Sequence, residues 1–106
     1  MTVVAWFIFI AAATLEVAGD AVIRKGLRGS VAWFIVAGFL MLGGYGVVVN
    51  TVKWDFSRLL GVYVAVFAVV SVLAGRFVFR EAIPVSTWVG LAIIVAGGAV
   101  IQAGHG

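Results

Sequence analysis

The stretch VVAWFIFIAAATLEVAGDAVI, from Val3 to Ile23, decides the fold. It is almost wholly apolar. A bilayer has a hydrocarbon core of about 30 Å, which takes roughly 20 helical residues at ~1.5 Å each, so the stretch is one crossing long. Two carboxylates interrupt it, Glu16 and Asp20, and the cations Arg24 and Lys25 follow it directly. A removable export signal carries its basic residues first and an uncharged core after them. The order here is reversed, so the run is expected to remain as a membrane span.

Three further apolar runs follow, from Val31 to Val52, Leu59 to Phe79 and Val85 to Ala103. Short polar links join them, so neighbouring helices must run antiparallel. Pro84 precedes the last run, where its missing backbone donor costs nothing. The reading is all-α: four transmembrane helices at 3–23, 31–52, 59–79 and 85–103, forming one integral membrane domain over residues 1–106. A membrane barrel needs more alternating segments than this length holds.

Composition excludes most other classes. The chain has 106 residues, 65% hydrophobic and only 10% charged. A soluble domain carries roughly a quarter charged residues, so a water-facing surface cannot be covered. There is no cysteine, so no disulfide framework and no thiolate metal site. One histidine and four acidic residues leave too little for a metal cluster or a nucleophile–base pair. Neither enzyme activity nor a cofactor nor a bound metal is expected. Six of the seven Lys and Arg residues lie between the apolar runs, and Arg76 lies near the end of the third. That placement suits juxtamembrane loops and not a nucleic-acid face.

Glu16 is the main chemical signal. An ionised carboxylate inside a span is costly, and such groups face a bundle interior or a watery cavity. One carboxylate can hold a proton or a cationic substrate, but not both well, and that competition is enough for exchange. The bland alternative is a structural carboxyl, protonated or paired with Arg76. The helical neighbours of Glu16 are Ala12, Ala13, Gly19 and Asp20. Their small or polar side chains either leave room beside the carboxylate or permit close helix packing. Phe7 and Ile10 point elsewhere, toward lipid. Asp20 is either a second cation-binding carboxylate or an interfacial ion pair with Arg24 at i+4, and the pair is favoured.

On the third helix Tyr63, Phe67 and Ser71 are spaced by four and share a face. Their rings and hydroxyls can line a cation site or form a packing stripe. Gly90 and Gly97 share a face of the fourth helix and are expected at a dimer contact. Gly43, Gly44 and Gly46 surround Tyr45 as a bend or a packing notch. Trp6, Trp33, Trp54 and Trp88 lie near predicted helix ends, as an interfacial belt does. Arg58 and Arg76 read as snorkelling or headgroup-facing cations.

Taken together, these residues resemble those of the small multidrug resistance transporters of the drug/metabolite transporter superfamily. The resemblance covers essentially the whole chain. It rests on the four-helix length, on Glu16 within Leu15-Glu16-Val17-Ala18-Gly19, on the Phe79-Arg80-Glu81 step and on Gly90 to Gly97. It implies an antiparallel homodimer in a bacterial inner membrane, with one glutamate per subunit shared in a central site. It also implies proton-coupled export of small organic cations or hydrophobic cationic drugs by alternating access. Tyr63 takes the place of the family's helix-three aromatic. The chain departs from the family pattern at Leu60, Gly19, Asp20, Ala65 and Phe67. Glu16-Val17-Ala18-Gly19, and Arg58 followed by Tyr63, look similar to the YnfA-type proteins. Val17-Ala18-Gly19 and Pro84-Val85-Ser86 look similar to small flippases for aminoarabinose-linked undecaprenyl phosphate, which lack the glutamate. The alternatives to a cation exporter are therefore a flippase for a lipid or polyprenyl-phosphate-linked sugar, and a subunit of a heterodimeric transporter paired with a paralogue.

Loop charge bears on that last alternative. Arg24, Lys25, Arg28, Arg76 and Arg80 fall on one side, and Lys53 and Arg58 on the other. This mild bias favours both termini outside the cytoplasm. An antiparallel homodimer requires the single chain to insert both ways, so C-terminal reporter fusions should appear on both sides of the membrane. Removing Arg24 and Lys25 should shift that mixture without reversing it. A reporter confined to one side contradicts the homodimer.

Overall fold

A computed structural model describes residues 2–104. Four α-helices follow one another: α1 (Thr2–Gly29), α2 (Ala32–Val49), α3 (Phe56–Phe77) and α4 (Val85–Ala103). All four are long and apolar enough to cross a membrane. The chain divides after Val52 into two compact units, α1 on α2 and α3 on α4. Large apolar side chains remain outward on every helix, among them Phe7, Phe39, Phe77 and Ile93. In water that surface would drive aggregation, whereas in lipid it is the solvated face.

The helix boundaries correct the expected ones at three places. Residues 24–29, expected as a loop, continue α1 to Gly29. Arg, Lys and Leu are good helix formers and nothing there breaks the helix. It ends on Ser30, whose positive φ of 57° lets the Val31 N–H reach back to the Gly26 carbonyl at 2.9 Å. α2 stops at Val49, three residues short of the expected end. The Asn50 amide donates to the Gly46 carbonyl at 2.7 Å and the Thr51 hydroxyl to the Val48 carbonyl at 2.7 Å. Carbonyls left over at the helix end are thereby satisfied. α3 is shifted toward its N-terminus and ends at Phe77, after which Arg80 takes a positive φ of 56°. α4 starts after Pro84 and ends at Ala103, as expected.

The α1–α2 unit closes through glycine. A Cβ on Gly38 would collide with the Ile23 side chain and lie 2.8 Å from the Gly19 carbonyl oxygen. A Cβ on Gly19 would lie 3.2 Å from the Gly38 carbonyl oxygen and 3.1 Å from Leu42 Cδ2. Each glycine therefore lets the opposing backbone approach, the usual device where lipid supplies no hydrophobic drive. Nearer the turn, Gly26 sits under Phe34 and the Val31 carbonyl, and Lys25 lies 5.9 Å from the Phe34 ring centroid. The α3–α4 unit closes in antiparallel register through Gly61 beneath Ile101 and Gly98 against Ala65.

Gly38→Leu should therefore destabilise the α1–α2 unit by about 1–3 kcal/mol, the usual cost of forcing atoms into a packed contact. Gly43, which would meet nothing within 4 Å, should accept alanine with little change. Helicity followed during denaturing-detergent titration of each variant reads the difference, and equal midpoints for the two would contradict the glycine contact.

Candidate functional site

Glu16 lies at the midpoint of α1, half-buried, between the buried Ala12, Ala13 and Gly19. These three small residues are packed surface, and Ala12 and Ala13 are 0% exposed. Of the two readings of this face, close packing is the one seen at Gly19, which meets α2 through Gly38 and Leu42. That contact leaves no room for a larger side chain at Gly19.

The partner that sequence reading missed is Tyr45. Gly44 comes close to Leu15, with a Cβ there meeting Leu15 Cδ2 at 3.3 Å. This approach brings α2 alongside the Leu15-Glu16 step, and Tyr45 lies within electrostatic reach of the Glu16 carboxylate. Helix α2 runs unbroken through Gly43, Gly44 and Gly46, so the glycine run is a notch and not a bend. The signal available in the sequence was the single hydroxyl-bearing ring set among those glycines.

Asp20 does not follow expectation. It is exposed one turn beyond Glu16, and it forms no ion pair with Arg24 among the described residues. Its carboxylate thus stays on the outer surface of α1 without the interfacial pairing that the i+4 spacing favoured.

In the second unit, Tyr63 is 3% exposed and its ring centroid is 6.4 Å from that of Phe67. The Ser71 hydroxyl donates to the Phe67 carbonyl at 2.8 Å, which fixes it on its own helix and leaves its oxygen lone pairs as acceptors. Phe67 and Ser71 line a groove of about 480 Å³ together with Val64, Thr87, Gly90 and Leu91. Its volume suits a small ligand. Tyr63 does not line it.

Gly90 and Gly97 meet nothing within 4 Å. The glycine that packs α4 on α3 is Gly98, whose Cβ would lie 2.6 Å from that of Ala65. At the end of the unit opposite Pro84, Arg58 is held between two groups. Its guanidinium carbon sits 3.7 Å from the Trp54 ring centroid, and Nη2 donates to Gln102 Oε1 at 2.9 Å. Arg58 is thus a fixed side chain and not a snorkelling one.

Four apolar helices with a carboxylate at the middle of the first define a small polytopic membrane protein. Over 97 residues the chain is 31% identical to a UPF0060 membrane protein of Herpetosiphon aurantiacus, covering 89% of this chain and 88% of that relative. The chain belongs to this UPF0060 family of membrane proteins, the YnfA-like group. No family model and no solved structure matches it.

The contrast between the neighbouring glycines is directly testable. Gly98→Leu should force α3 and α4 apart and lower the stability of their unit. Gly97→Leu should leave that unit intact, because a Cβ there meets nothing within 4 Å. An unfolded Gly97→Leu protein would contradict the placement of these two residues.

Proposed function

We propose that this protein is a proton-coupled exporter of small organic cations in a bacterial inner membrane, with Glu16 exchanging proton and substrate. The observation that carries the reading is a half-buried carboxylate at the midpoint of a membrane-spanning helix. Holding an ionised acid in such a place costs about 2.5–3.5 kcal/mol on insertion scales, and residues kept at that cost usually serve transport. Deprotonated Glu16 attracts a cation, and arrival of a proton releases it. The two states of one group are then linked to opposite loads.

The resemblance to the small multidrug resistance transporters supports an antiparallel homodimer working by alternating access. Phe67 and Ser71, which line the groove, supply an aromatic face and an acceptor oxygen of the kind that holds an organic cation. The open faces at Gly90 and Gly97 are suited to contact with a second copy. Asp20, exposed and without an ion pair, is the further carboxylate a cation meets on this surface of α1.

Purified protein in liposomes provides the test. Addition of a transported cation should release protons from the parent protein and drive proton movement across the membrane. Glu16→Gln removes the titrating group with little change of shape, so both signals should fall to the level of empty liposomes while the protein remains folded. Coupled transport that survives in Glu16→Gln would end this mechanism.

A further inference from the structure

We infer that Arg58 forms, with Trp54 and Gln102, a binding site for a phosphate-class oxyanion at the membrane boundary of the α3–α4 unit. The inference is independent of the transport reading. It starts from an unbalanced charge. Arg58 is half-buried, and its Nε is shielded from water with no hydrogen-bond partner. Its two contacts are both neutral, the Trp54 ring at 3.7 Å and the Gln102 carbonyl oxygen at 2.9 Å. No carboxylate pairs with it among the described residues, although Asp55 lies three positions earlier, at the N-cap of α3. A partly desolvated cation with an unmet donor is costly until an anion compensates it.

The location says which anion. Arg58 lies in the first turn of α3, and Gln102 in the last turn of α4. For a unit spanning a bilayer these turns sit where the hydrocarbon ends and the lipid phosphates begin. Lys53, exposed in the preceding loop, adds a second cation near that level. Arginine is the side chain suited to phosphate, because its planar fork presents parallel donors to two oxygens. Here the fork is preorganised, clamped from one side by the indole and at one nitrogen by the amide. An arriving oxyanion supplies the counter-charge. The shared chemistry is a phosphate oxyanion, and its two sources are an anionic lipid headgroup and a soluble phosphate.

Trp54 is a built-in reporter, since an anion drawn to the guanidinium alters the field over the stacked indole. The protein carrying Trp6→Phe, Trp33→Phe and Trp88→Phe leaves Trp54 as the single fluorophore. One arm reconstitutes it in phosphatidylcholine vesicles with increasing phosphatidylglycerol. The other adds inorganic phosphate to phosphatidylcholine vesicles. A saturable change in Trp54 emission is expected, and the arm that produces it names the source. Arg58→Gln should weaken the apparent affinity about tenfold or more, as loss of a charge-assisted contact does. The decisive variant is Gln102→Glu. It keeps the clamp on Nη2 but gives Arg58 an internal counter-charge, so it should silence the response while preserving the fold. A parent protein silent in both arms, or a Gln102→Glu protein that responds like the parent, would overturn the site.

Discussion

Close approach of one helix backbone to another, permitted by the absence of a side chain, is the interaction on which both units depend. In water, two apolar helices associate because water excludes them. In lipid that drive is missing, and the gain must come from van der Waals contact between surfaces that fit. Gly19 and Gly38 provide it for α1 and α2, and Gly98 against Ala65 for α4 and α3. Backbone hydrogen bonding is already complete within each helix, so the helices are held by packing and by side-chain contacts such as that of Arg58 with Gln102.

The chemistry of the chain follows from where this packing puts its few charges. Glu16 is carried into the middle of a span by a helix whose adjacent faces are occupied by alanine and glycine. Arg58 is carried to the end of another unit and fixed there by an indole and an amide. The first is half-buried within a span, and the second is fixed in position.

The four spans were legible because apolar run length is a direct consequence of bilayer thickness. Their ends were less so. Arg24, Lys25 and Arg28 mark the limit of an uncharged segment, yet the helix runs on through them, because charge and helix propensity are separate properties. Glu16 stood out because a carboxylate near the middle of an apolar run has few bland explanations. Gly97 and Gly98 could not be told apart. They differ by about 100° around α4, a helix apolar on all sides, and such a helix carries no amphipathic signal of its rotation. Tyr45 and Gln102 were passed over for a related reason. Each becomes notable only through a residue distant in sequence, Glu16 for one and Arg58 for the other.

The unequal lengths of α1 and α2 have a bearing on the surrounding lipid. α2 has 18 residues and therefore an apolar length of about 27 Å. α1 has 28, but its last two turns carry Arg24, Lys25 and Arg28 alongside the opening turns of α2. The cations thus sit level with apolar side chains of the neighbouring helix. A thick, sterol-like bilayer would have to submerge them or leave them to reach outward. A thin one meets both helices at their natural boundary. Through hydrophobic mismatch, the first unit matches a bilayer core near the ~27 Å length of α2 better than a thicker one.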